Sequence, residues 1–156
     1  MRYRFRPMRW RDAWAVAHWR YAGEYAFYDT SFAALVPVML AQSALRLTGR
    51  AIYYSVIDER DELAGVFSFV RDGGTVEVGL GMRPDRTGQR AGLDFVLAGL
   101  EFAQQQFAPS RFKLNVATFN KRAITVYERA GFRHIRTFER WSHGRRNTYL
   151  EMARDA

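Results

Sequence analysis

The chain has 156 residues, 48% of them hydrophobic and 15% aromatic, which suits one folded domain with a core of its own and excludes a disordered polymer. It has no cysteine, so disulfides, thiolate metal sites and a cysteine nucleophile are ruled out. The net charge of +8 comes from 24 basic residues, nearly all arginine, against 16 acidic ones. It fits a general arginine preference, a nucleic acid, or a small cofactor carrying several phosphates. No run approaches the ~20 apolar residues of a bilayer span. The charged start has no apolar stretch behind it, so neither a signal peptide nor a membrane partner is expected and the location expected is cytoplasmic.

Arg2 to Pro7 alternates and reads as a strand. Asp12 is the expected cap of a helix on which Trp10, Trp14, Ala17 and Tyr21 share a face, with His18 extending the row. The aromatic segment from Tyr21 to Ser31 breaks that pattern, and a second apolar helix runs from Phe32 to Leu47, stopping at Gly49. Strands are expected at Ala51 to Ile57, Leu63 to Arg71 and Thr75 to Met82, with Asp72-Gly73-Gly74 as a hairpin turn. After Pro84 the period becomes helical, with Leu93, Leu97, Leu100, Gln104 and Phe107 on one face and Pro109 as the stop. A strand from Arg111 to Thr118, a helix ending at Gly131 and two late strands around a turn at Ser142 to Arg146 complete the chain. The order β-α-α-β-β-β-α-β-α-β-β implies an α+β, or mixed α/β, layer structure with helices on a largely antiparallel sheet. The three histidines show no metal-ligand spacing and no metal is expected. The arginines at 133, 136, 140, 145 and 146 read as a solvated face.

The strand-turn-helix from Thr75 onward has the order needed to bind an anion. The first amides of a helix have no intrahelical partner and lie at its positive end, where a phosphate accepts several N–H bonds. Gly88 and Gly92 allow close approach, and Arg86 and Arg90 would add charge. By itself this is equally a plain strand-to-helix turn.

The segment Leu114 to Phe132 adds a second motif, and together the two resemble the GNAT superfamily of acyl-CoA N-acyltransferases. Met82-Arg83-Pro84 matches that family's Val-x-Pro strand end, and Thr87-Gly88-Gln89-Arg90-Ala91-Gly92 its phosphate turn. Asn120, Ala123, Ile124, Tyr127, Gly131 and Phe132 match the second motif. Two positions depart from the pattern. Thr87 stands where the family has Gln or Arg, and Arg90 replaces the first glycine of the Gly-x-Gly pair. The resemblance implies a V-shaped, splayed, mostly antiparallel sheet of about seven strands flanked by four helices, with residues 1–156 forming one acetyltransferase domain.

What it implies chemically is acetyl transfer from acetyl-CoA to a primary amine in a direct ternary complex. Leu80, Gly81 and Met82 would hold the thioester by their backbone. Thr87, Gly88, Gln89, Arg90, Ala91, Gly92 and Leu93 would cradle the pyrophosphate, and Asn120 would lie by the pantetheine arm. Tyr127 falls at the position of the acid that protonates the departing sulfur, and a phenol keeps its proton at neutral pH. Glu77 is the candidate base, with water as the alternative, because the other carboxylate position of the family is Asn115 here. Glu24, Tyr25, Tyr28 and Asp29 lie where the family binds its acceptor, a small-molecule or peptide amine. The late strands suggest a homodimer. Two other readings stay open: a non-catalytic acyl-CoA-binding module, motivated by Thr87, Arg90 and Asn115, and nucleic-acid binding, which has only charge behind it and is not expected.

Overall fold

The structure is a computed structural model and describes residues 3–45 and 51–156. Seven strands and four helices alternate as β1 (Arg4–Pro7), α1 (Trp10–Ala17), α2 (Phe32–Leu45), β2 (Ala51–Ile57), β3 (Leu63–Asp72), β4 (Thr75–Met82), α3 (Gly92–Phe107), β5 (Arg111–Ala117), α4 (Lys121–Arg129), β6 (Arg133–Ser142) and β7 (Arg145–Asp155). Short 3-10 segments lie at Gly23–Tyr28 and Pro84–Arg86. The expected Arg2, the end of α2 at Leu47 and its stop at Gly49 lie outside the described residues. Among the described residues no helix is long and apolar enough to cross a membrane.

The sheet order is β1-β2-β3-β4-β5-β7-β6, and every pair is antiparallel except β4 with β5. The β4–β5 pairing is short. It holds Thr75, Val76 and Glu77 opposite Arg111, Phe112 and Lys113, and β4 then continues to Met82 paired with β3 alone. The sheet therefore opens like a V beside the second half of β4.

Alternation places Val76 and Val78 on one face of β4 and Glu77 and Gly79 on the other. The first face is the core. Phe67, Phe69, Val76, Val78, Leu114 and Met152 are buried there under Phe95, Val96 and Leu100 of α3 and Ile124 of α4. Burying such side chains stabilises the fold by roughly 1.5–3 kcal/mol each. A smaller cluster of Met8, Ala13 and Met39 joins α1 and α2 to the other face.

Two helical faces differ from expectation. In α1 the cap is Arg9, and Asp12 is the third helical residue, whose carboxylate reaches back to the Arg9 amide at 2.9 Å. Asp12 also accepts from Arg6 at 2.9 Å and from Ser55 of β2 at 2.8 Å. Burial works to raise its pKa, but these bonds outweigh it and hold the carboxyl below its ordinary range. They turn the Asp12 side of the helix inward, with Ala13, Val16 and Ala17, and leave Trp10 and Trp14 exposed. His18 caps the helix end through the Trp14 carbonyl, and Tyr21 lies beyond it. In α3 the buried face is Phe95, Val96, Gly99, Leu100 and Ala103, while Leu97 is exposed. The physical reason is size: a Cβ at Gly99 would run into the Phe67 ring, so the small residues let the helix lie close to the sheet.

Candidate active site

The open side of β4 has a defined polarity. The Arg83 amide donates to the Ala64 carbonyl at 2.8 Å, which makes this the next hydrogen-bonded pair beyond Gly65 and Met82. In an antiparallel ladder such pairs alternate, so Leu80 and Met82 direct their amides and carbonyls away from β3, into the gap. Gly81 points its missing side chain toward Tyr21, whose hydroxyl is 3.7 Å from where a Cβ would be. That hydroxyl donates to the Met82 carbonyl at 2.7 Å. Burial, with a smaller push from the Asp29 charge, raises the Tyr21 pKa to about 12, so the phenol keeps its proton.

The turn beyond Met82 divides into two halves. Residues 83 to 87 are tied down: Thr87 bonds the Pro84 carbonyl through both its hydroxyl (2.7 Å) and its amide (3.2 Å). The second half is open. The N–H groups of residues 88 to 94 make no hydrogen bond to any described residue, and the first amide paired into α3 is that of Phe95, to Ala91 at 3.0 Å. Gly88 has φ +76°, and Arg90 takes φ +61°, the left-handed conformation that glycine adopts without cost. The Arg90 side chain is exposed, and no described residue pairs with it. Gln89 is folded back onto the Asp85 carbonyl at 2.7 Å. Gly92 sits against Val126 of α4, where an added Cβ would lie 3.4 Å away. Arg86 does not face this run of amides; its guanidinium is directed to Asp58 and Glu62.

Asn120 caps α4 by accepting from the Ala123 amide at 3.1 Å, and its amide group donates to the Tyr28 hydroxyl at 3.1 Å. Seven residues further on, Tyr127 packs against the edge of the core, as Leu80, Met82, Leu93 and Val126 each do, and its ring lies edge-on to Phe132. Burial pushes its phenol far above the ordinary value, and the nearby Tyr28 adds to the shift. The Tyr28 phenol is also raised, by burial, against the lowering effect of its bond to Asn120. Asn120 is thus joined to Tyr28 across 92 positions of the chain, and Tyr127 lies near enough to Tyr28 to feel its charge.

Glu77 lies at the apex of the V, in the last paired register of β4 and β5. Its carboxylate meets Lys113 at 3.3 Å and the Asn115 amide at 3.4 Å. The Asn115 Oδ1 is buried and has no hydrogen-bond partner among the described residues. An unpaired buried acceptor costs free energy unless a water or ligand fills it, so this atom marks a place for a donor.

The 3-10 segment folds over the same region. Tyr25, Phe27 and Tyr28 surround Phe119, and Phe27 also meets His143. Arg122 stacks on Tyr25 at 4.3 Å. Asp29 accepts from the Tyr21 amide at 2.9 Å and meets Arg20 at 4.0 Å, so its carboxylate is largely engaged. Glu24 is exposed at the start of the segment and joins none of these contacts. Sequence reasoning missed Tyr21, which it read as the end of a helical row, and Phe119, which had only its place beside Asn120 to mark it. Among the described residues no group of His, Asp and Glu side chains is placed to hold a metal ion.

Comparison with known proteins bears on the fold and the family. No curated protein matches the sequence. In structure, the chain is similar to a spermidine N-acetyltransferase from Vibrio cholerae in complex with CoA and spermine, with a TM-score of 0.79, 16% identity, and 98% of this chain and 95% of that one covered. It is similar to a putative phosphinothricin N-acetyltransferase, with a TM-score of 0.77, 18% identity, and coverage of 99% and 98%. A dodecameric form of the Vibrio cholerae spermidine enzyme matches at a TM-score of 0.75 and 18% identity, with 98% and 93% covered. These likenesses establish the fold. The family model described as the acetyltransferase (GNAT) domain matches residues 2–133. The chain thus belongs to the GNAT acetyltransferase family and is an acetyl-CoA-dependent acyltransferase.

Proposed function

We propose that residues 1–156 work as one acetyltransferase domain that passes the acetyl group of acetyl-CoA directly to a primary amine within a ternary complex. The observation that carries this reading is the junction of an unpaired strand edge at Leu80 and Met82 with the run of unbonded amides from 88 to 94. One end accepts a carbonyl and the other a pyrophosphate, and an extended chain lying in the V would join them. Acetyl-CoA supplies an activated acyl group and a thiolate leaving group.

The residues divide the remaining tasks. The outward amides of Leu80 and Met82, with Gly81 allowing approach, hold the carbonyl oxygen as charge develops on it. Thr87 shapes the first half of the phosphate turn. The amides of Gly88, Gln89, Arg90, Ala91, Gly92 and Leu93, with the Arg90 side chain, receive the phosphates. Asn120 fixes the start of α4 and holds the Tyr28 hydroxyl. Tyr127 donates the proton to the leaving sulfur. Glu77, alone or through a water held at Asn115 Oδ1, takes the proton from the amine. Tyr25 and Tyr28 wall the acceptor, with Glu24 at its exposed edge and Asp29 holding the Tyr21 backbone.

The test is an assay of thiol release from acetyl-CoA against a panel of small amines and peptide N-termini, beside calorimetry with CoA alone. Release with at least one amine, and a single sequential kinetic pattern, is expected. Tight CoA binding with no release across the panel would overturn the choice of a primary amine as acceptor.

A further inference from the structure

Arg86 lies next to the phosphate turn but is anchored behind it. Its guanidinium meets the Asp58 carboxylate at 3.0 Å and Glu62 at 2.6 Å, and its side chain is only 18% exposed. Asp58 itself is 2% exposed at the end of β2. Its other oxygen accepts from the amides of Arg60 at 2.9 Å and Glu62 at 3.1 Å, so it also shapes the β2–β3 turn. Arg83 reinforces the join through Glu62 at 3.2 Å, Asp85 at 2.7 Å and the Leu63 carbonyl at 3.2 Å. Beneath the turn lies a cavity of about 20 Å³ lined by Tyr3, Asp58, Met82, Arg86, Gln89 and Ala91, with room for about one water.

The stapled half and the open half of the turn are consecutive in sequence, so the first determines where the second starts. Charge-assisted bonds between buried partners are directional and weakly screened. We infer that Asp58 and Arg86 are positioning residues, holding the 84–91 turn from behind so that the amides of 88 to 94 converge on the pyrophosphate. Arg86 acts through the backbone and does not touch the phosphates. The inference rests on the acetyl-CoA reading above, and calorimetry with CoA on the unaltered protein tests that reading first.

The experiment compares Arg86→Gln, Arg86→Lys and Asp58→Asn in the full chain, with acetyl-CoA and with acetylpantetheine, a thioester that lacks the pyrophosphate. Arg86→Gln and Asp58→Asn should each raise KM for acetyl-CoA about tenfold, with kcat at saturation changed less than about twofold and KM for acetylpantetheine unchanged. The double variant should be no worse than either single one, because the two residues act as a unit. Arg86→Lys, which can still reach Asp58, should recover part of the loss. The salt dependence of CoA affinity should be the same in Arg86→Gln as in the unaltered protein. A shallower salt dependence would mean that Arg86 contacts phosphate directly and would overturn the inference. So would an equal rise in KM for both thioesters, the mark of general loosening. If Arg86→Gln does not fold, Arg86→Lys alone decides, by the same contrast between the two thioesters.

Discussion

The Tyr21 hydroxyl donates to the Met82 carbonyl at 2.7 Å, joining the loop after α1 to the end of the strand edge proposed to hold the thioester. The bond fixes the carbonyl side of the last peptide of β4, which faces away from β3 and has no β5 partner. Tyr21→Phe removes it and leaves a carbonyl in the gap without its donor, which costs about 1–3 kcal/mol. The expected result is a fall in kcat/KM of about tenfold, measured by thiol release at saturating and limiting acetyl-CoA.

The same tyrosine gives a pH prediction. Its folded pKa, about 12, lies above the ordinary 10, so its contribution to stability is fully present below pH 10 and is lost as pH rises toward 12. Urea titrations from pH 8 to pH 11.5 should show stability falling in that window. Because Tyr127 and Tyr28 are shifted in the same direction, Tyr21→Phe should flatten the fall only in part.

Tyr127→Phe keeps the ring against Phe132 and removes only the hydroxyl. If that group protonates the leaving sulfur, kcat drops about 100-fold, within the range typical of general acids, while CoA affinity by calorimetry changes little. A rate equal to that of the unaltered protein would remove Tyr127 from the mechanism.

Asn120 performs two tasks with its two side-chain ends, and two substitutions separate them. Asn120→Ala loses the cap and should lower stability by about 1 kcal/mol, seen as a melting temperature lower by about 3 °C. Asn120→Asp keeps the cap and loses the donor to Tyr28. It should melt near the unaltered temperature but turn over more slowly. Equal rates would show that Tyr28 needs no such support.

Arg90 carries a side chain at φ +61°. Arg90→Gly relieves that strain but adds chain entropy to the unfolded state, so stability should change by less than about 1 kcal/mol. CoA binding should weaken at low salt, and its salt dependence should become shallower, because one cation is lost from the phosphate turn. Calorimetry at two ionic strengths reads both effects.

Asn115→Leu replaces a buried acceptor that lacks a partner among the described residues with an apolar group of similar size. Such a change is nearly neutral or stabilising for the fold. A stable variant with a clear loss of kcat/KM for the amine would assign Asn115 Oδ1 to the acceptor or its water. Unchanged kinetics would exclude that role.

Much of the architecture was legible in the sequence because it depends on local patterns. The β-branched and aromatic runs at Ala51–Ile57, Leu63–Arg71 and Thr75–Met82, the turn at Gly73 and the stop at Gly131 need only neighbouring residues, and the structure has them where expected. The paired motifs around Gly88 and Asn120 were enough to indicate the family. What only the tertiary structure decided is direction. Which way α1 turns is set by Ser55 and Arg6, far from Asp12 in sequence or outside its helix, and so Trp10 and Trp14 face outward. Whether Arg86 meets a phosphate or a carboxylate is set by Asp58, 28 residues earlier and buried. Tyr21 reaches Met82 across 61 positions. Side-chain direction is fixed by whichever partner packing brings close, and a one-dimensional pattern holds no record of partners contributed by another layer of the fold.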